Sequence, residues 1–183
     1  MVAVVGVVSL LTLAGCTDAP EEPLPIPTSS KTAEPTPTPE YTPGIDPEAD
    51  VAAAIKTYEA YIAAENGLVV SDRSTWDPYL DLLVGEMRDG TLARLTAMAE
   101  DGTSLSGETR ILSTSLFGQD AQRVVLDVCL DIGDTDIVGK DGLSLVSAGR
   151  DPISAMRVRV VPGDDTSSWN VDYIIFRDDG PTC

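Results

Sequence analysis

From Val51 to Ala99 apolar side chains recur every three or four positions, and from Arg110 onward they recur every second one. The first period belongs to a helix with one buried stripe, the second to a half-buried strand. Val51, Ala54, Ile55, Tyr58, Tyr61 and Ile62 form the first stripe, with Asp46 as cap, Pro47 in the opening turn and Gly67 as exit. Trp76, Leu80, Leu83 and Met87 form a second, expected to end at Asp89-Gly90. Leu92, Leu95 and Met98-Ala99 form a short third between Thr91 and Gly102.

The later positions predict strands. One covers Arg110 to Phe117 and turns at Gly118-Gln119-Asp120. In the next, Val124, Leu126, Val128 and Leu130 alternate with Val125, Asp127, Cys129 and Asp131. Two more follow, Met156 to Val160 and Trp169 to Phe176. The glycine-rich stretch from Gly133 to Asp151 predicts a short hairpin, Asp134 to Val138 and Leu143 to Val146, around Gly139-Lys140-Asp141-Gly142. Helices first and strands afterwards imply an α+β class. The expected architecture is three N-terminal helices packed on one face of a curved, mainly antiparallel sheet, over residues 47–183.

The start of the chain has a different pattern. Val2 to Ala14 is apolar except for Ser9 and Thr12, shorter than the about 20 residues a membrane-spanning helix needs. It suits the apolar core of a secretory signal peptide. It ends in Leu13-Ala14-Gly15-Cys16, the form of a bacterial lipobox, in which the cysteine thiol receives diacylglycerol. Met1 to Val8 carries neither Lys nor Arg, so the true start is expected upstream. Residues 1–15 are therefore read as signal peptide. Residues 16–46 are read as the lipidated cysteine and a Pro/Thr-rich disordered tether, since Pro20 to Pro27 and Pro35 to Pro39 block helix and central strand alike. Such a tether extends roughly 3.1 Å per residue. The expected location is extracytoplasmic, at the outer face of the cell membrane, where two or more acyl chains anchor stably.

Charge and composition narrow the chemistry. The formal net charge is -18 and there is no histidine. Such a chain is repelled by nucleic acid. The commonest metal ligand and the commonest neutral-pH base are both missing. Asp127, Asp131, Asp134 and Asp136 lack the ordered calcium loop with its terminal Glu, and solvated turns, or pairing with Arg157 and Arg159, account for them. No Gly-rich phosphate loop or zinc-type cysteine spacing occurs, so no cofactor and no metal are expected. With Cys16 assigned to lipid, Cys129 and Cys183 remain as an even pair in a compartment where disulfides persist.

The order of elements resembles the NTF2-like superfamily, which includes ketosteroid isomerase and the SnoaL-like proteins, and more narrowly the small NTF2-like lipoproteins of actinobacteria. The residues carrying the likeness are Tyr58-Glu59-Ala60-Tyr61, the Gly102 to Gly107 step, Val124 to Asp131, Ser168-Trp169-Asn170-Val171 and the terminal Cys183. The resemblance implies a cone-shaped fold with a pocket between sheet and helices, for which Tyr58, Tyr61, Trp76 and Asp127 are the candidate lining residues. It also sharpens the cysteine reading to a structural Cys129–Cys183 disulfide, since the seven residues after Phe176 reach about 23 Å. No catalytic set is expected. The functional reading is a membrane-anchored, non-catalytic binding or accessory module, with a cell-envelope protein or small ligand as partner. The alternative is a SnoaL-like or isomerase-like enzyme acting on a small apolar substrate. A deep pocket with a buried carboxylate near a tyrosine hydroxyl favours the enzyme; a shallow or filled one favours the module.

Overall fold

A computed structural model describes residues 46–163, 168–177 and 183, all in the unit Pro39–Cys183. The signal peptide, the lipobox Cys16 and the tether lie outside the described residues.

Helix α1 (Pro47–Asn66) begins at Asp46, whose Oδ1 accepts from the Glu48 amide at 3.0 Å. Glu48 and Asp50 in its first turn suit the positive end of the helix dipole. Its buried face is Ala54, Tyr58, Tyr61 and Ile62. A single 3₁₀ turn (Arg73–Thr75) leads into the short α2 (Asp77–Leu80). Helix α3 (Gly85–Asp101) ends on Gly102 in the left-handed conformation, φ 70°.

The helical region departs from the expected second and third stripes at one place. The break falls at Asp81–Val84 and not at Asp89-Gly90, which lies inside α3 with Thr91 buried. The cause is tertiary. Val84 N donates to Val171 O at 3.1 Å and Val171 N to Leu82 O at 2.8 Å, so Leu83 pairs as a short parallel bridge with the sheet. Extended pairing and helix compete for the same backbone groups. The cost of Gly90 inside a helix, about 1 kcal/mol relative to alanine, is tolerated.

Strand β1 (Ser104–Ser106) follows, then β2 (Arg110–Asp120), β3 (Arg123–Asp131), β4 (Asp136–Val138), β5 (Ile153–Pro162) and β6 (Trp169–Phe176). Strands β2-β3-β5-β6 form one antiparallel sheet in that order. Strands β1 and β4 form a separate two-stranded ribbon. The expected hairpin is present only in part. Val138 bridges to Ser144, but the main partner of β4 is β1, supplied from the helical side. Strand β2, the first of the expected strands, also runs three residues past Phe117, and its turn falls after Asp120. Two bulges in β2, between Ile111 and Ser113 and between Leu116 and Gly118, curve the sheet.

One face of the sheet makes the core. Val124, Leu126, Val128 and Leu130 of β3, Val158 and Val160 of β5 and Val171 of β6 are buried against Tyr58, Tyr79, Leu83 and Leu95. On the other face, Arg157 and Arg177 hold Asp127, each at 2.8 Å, and Arg159 holds Asp172 at 2.8 Å. Arg157 thus pairs with the acidic run, whereas Arg159 does not. A bulge in β6 brings Asp172 within reach of Arg159. Cys129 and Cys183 are joined in a disulfide on this outer face, with a Cα–Cα distance of 5.6 Å.

Candidate functional site

A cleft of about 310 Å³ opens between the end of α1, α3, the β1–β4 ribbon and the core face of the sheet. That volume is at the lower end of the range for small-molecule sites. Leu105, Leu130, Ile132, Ile137, Met156 and Phe176 give it apolar walls. Phe176 stands at the edge of the sheet with 72 % of its surface exposed.

The polar residues of the cleft divide into those already committed and those that are not. Asn66 is a clip: its Nδ2 donates to Thr109 O and its Oδ1 accepts from Thr109 N, both at 2.9 Å. This fastens the end of α1 to the start of β2. Arg150 donates to the Ile132 and Thr135 carbonyls at 2.6 and 2.7 Å. Asp136 accepts from the Ser144 hydroxyl at 2.6 Å. Gly107 has φ 79°, and a Cβ there would collide with the Asp134 backbone, so the ribbon seats closely against the loop only because this residue is glycine.

Glu65 and Arg94 are less committed. Glu65 Oε1 accepts from Tyr79 Oη at 3.3 Å, and its Oε2 has no hydrogen-bond partner among the described residues. Tyr79 Oη is in turn 2.9 Å from Tyr61 Oη. Tyr79 has one proton, so when Glu65 is ionised the order of donation is Tyr61 to Tyr79 to Glu65. The rings stack, with centroids 5.7 Å apart for Tyr58–Tyr61 and 5.1 Å for Tyr61–Tyr79. Burial pushes the Glu65 carboxyl above its usual range, opposed by the Arg94 charge and the Tyr79 hydrogen bond. Burial, then the Glu65 charge, pushes Tyr79 up to about 12. Tyr61 is raised for the same two reasons. Arg94 has no hydrogen-bond or ion-pair partner among the described residues and acts on Glu65 through space.

None of Tyr58, Tyr61, Trp76 and Asp127 lines this cleft. Tyr58 and Tyr61 are buried in the core behind Glu65, because the stripe that carries them faces the sheet. Trp76 is buried with its Nε1 3.4 Å from Val69 O. Asp127 is on the opposite face, held by two guanidinium groups, because strand alternation turns it away from Leu126 and Val128. Sequence reasoning missed Glu65, Tyr79 and Arg94. A signal for Glu65 was present: it stands four residues after Tyr61 and seven after Tyr58, so it extends the apolar stripe with a carboxyl.

Two of the other hollows among the described residues differ in kind. One of about 440 Å³ on the outer face lies over Phe117, Arg157, Arg159 and Tyr173. Its guanidinium groups are taken by Asp120, Asp127 and Asp172, and by the rings, with Arg157 3.4 Å from the Phe117 centroid. Another of about 330 Å³ is bounded by the loop from Gly133 to Pro152 and is mostly polar, with Val146, Ala148 and Pro152 as its apolar part.

No family model and no curated protein match the chain. Solved structures do. A protein described as a putative aromatic ring hydroxylase from Novosphingobium aromaticivorans superposes with a TM-score of 0.52 at 14 % identity, over 75 % of this chain and 94 % of that one. The intermembrane space region of the chloroplast protein ARC6 superposes with a TM-score of 0.49 at 14 % identity, over 73 % and 98 %. The first likeness shows the fold alone: an α+β structure with helices on a curved antiparallel sheet. A fold of this kind does not carry a function with it.

Proposed function

We propose that the protein is an extracytoplasmic lipoprotein, anchored through Cys16, whose domain is a non-catalytic module that binds a small ligand in the cleft beside Glu65 and Arg94. The observation behind this reading is the cleft itself, with apolar walls and two ionisable side chains that the fold does not consume. Clefts with few, convergent polar groups are the usual form of ligand sites. The leader, Leu13-Ala14-Gly15-Cys16 and the proline-rich segment support the address.

Two measurements test the two halves. Radiolabelled palmitate should enter the full chain in bacterial cells and should be lost in Cys16→Ser; labelling that survives the substitution removes the anchor. A fragment library screened by ligand-observed NMR should give hits that Ile137→Trp, which fills the cleft, abolishes and that Phe117→Ala, on the outer face, leaves intact. Hits indifferent to Ile137→Trp would end the reading.

One observation favours the enzyme instead: a carboxyl raised by burial and bonded to a tyrosine hydroxyl, the arrangement of a general base with a proton relay. In that case Glu65→Gln would abolish turnover of a bound apolar substrate while leaving its affinity within a few-fold. The same variant of a binding module changes affinity alone.

A further inference from the structure

We infer that the ligand of the cleft is a small apolar carboxylic acid in solution, its carboxylate on Arg94 and its hydrocarbon body against Leu105, Leu130, Ile132, Met156 and Phe176. The inference rests on the binding reading above and adds the chemical class of the ligand.

Charge complementarity selects the class. The cleft has four charged side chains, Glu65, Arg94, Asp136 and Arg150. Asp136 Oδ1 accepts from Ser144, and Arg150 is fixed by two bonds from Nη2 to the Ile132 and Thr135 carbonyls. Arg94 is the cation of the cleft that no hydrogen bond holds among the described residues, and it does not form an ion pair with Glu65. Burial disfavours the ionised form of Glu65, so it is a poor counter-ion for a cationic ligand. A guanidinium cannot lose its proton, and its fork matches a carboxylate at two points. Arg94 therefore supplies the persistent charge. Beyond it lies a hydrocarbon wall that ends in an aromatic ring left exposed at the margin. A large exposed apolar side chain beside a cleft is surface that a ligand body can cover.

A bound carboxylate would also bear on Glu65. It would bring a negative charge toward a carboxyl already raised by burial, with Arg94, Tyr58, Tyr61 and Tyr79 as the neighbouring titratable groups. Like charges shift the nearby group further toward its protonated form.

Isothermal titration of the full chain with octanoate, octanol and octylammonium at neutral pH separates the outcomes. The expected result is octanoate binding at least ten-fold more tightly than octanol. Octylammonium should bind no better than octanol. Arg94→Gln should bring octanoate to the octanol level, Arg94→Lys should keep most of the preference, and Arg88→Gln on the same helix should change nothing. Octanol or octylammonium binding as tightly as octanoate, or a preference that survives Arg94→Gln, overturns the acid while leaving the cleft as a binding site. Capture of the chain by phosphatidylglycerol vesicles but not by octanoate overturns it in favour of a membrane lipid. If none of the three probes binds, both the acid and the binding reading fall.

Discussion

On the outer face of the sheet, Arg157, Arg159 and Arg123 each have a carboxylate within 2.9 Å, and a disulfide closes one end. On the inner face, the same strands bury Val124, Leu126, Val128 and Leu130 beneath the helices, and at the margin of that apolar layer Glu65 and Arg94 face a cleft without an ion pair. The two faces thus use charge in opposite ways. Outside, charged groups are matched and contribute to the fold. Inside, the apolar layer supplies the stability, and two of the polar groups near it, Glu65 and Arg94, are left with spare bonding capacity. Unmatched charge beside buried surface is costly to keep, so the inner margin is the better place to look for a ligand.

Four experiments press on that contrast, from the largest expected effect to the smallest. Replacing Cys129 and Cys183 together by serine opens a cross-link with a sequence separation of 54. The chain-entropy model gives a loss of about 4 kcal/mol for such a loop, measurable by urea denaturation. A loss below about 1 kcal/mol would mean the outer face is not held by its covalent link. Leu126→Ala, at a site with no exposed surface, should cost about 3 kcal/mol, while its outward neighbour Val125→Ala should cost less than about 1. Equal costs would erase the distinction between the faces. Asp127→Ala should cost about 2 kcal/mol, because it strips a carboxylate from Arg157 and from Arg177, whose side chain is only 6 % exposed. Asp120→Ala, at the exposed pair with Arg123, should stay within about 0.5 kcal/mol.

The smallest effect is the one that reports on the cleft. The Glu65 pKa is raised in the folded chain above its usual 4.5. The unfolded chain therefore loses this proton first, and the folded state is favoured most below that value. Stability from this group falls as pH rises from about 4.5 to the folded pKa, and stays lower above it. Glu65→Gln keeps an acceptor for Tyr79 and has no such term. Its stability relative to the parent should thus rise with pH across that window and then level off. A difference independent of pH between 4 and 8 would show that Glu65 is solvated as an ordinary carboxylate.

Much of this architecture was legible in the order of residues. The stripe from Val51 to Ile62, the Asp46 cap and the alternation from Val124 to Asp131 are local signals, and helix and strand periods are local properties. Where local signals misled, a distant partner had intervened. The second stripe broke at Leu83 because β6, nearly ninety residues later, took its backbone hydrogen bonds. Strand β4 paired mainly with β1, a segment no hairpin pattern points to. The candidate site was less legible than the fold. The aromatic residues of the α1 stripe suggest a pocket lining, but Tyr58 and Tyr61 are core, and the carboxyl at the end of their stripe faces the cleft.

By itself, the sequence determined the α+β class, the single buried face of α1 and β3, and the even number of cysteines left to the domain. All of these follow from patterns within a few residues or from composition. Only the tertiary structure decided which polar groups were spent and which were spared. That division depends on register and on approach between distant segments: Asp127 meeting Arg157 and Arg177, Asn66 meeting Thr109, and Glu65 ending beside Tyr79 with Arg94 across the cleft. Such meetings are set by the packing of one layer on another, and the free energy of a charged group follows from its surroundings in space rather than its neighbours in the chain.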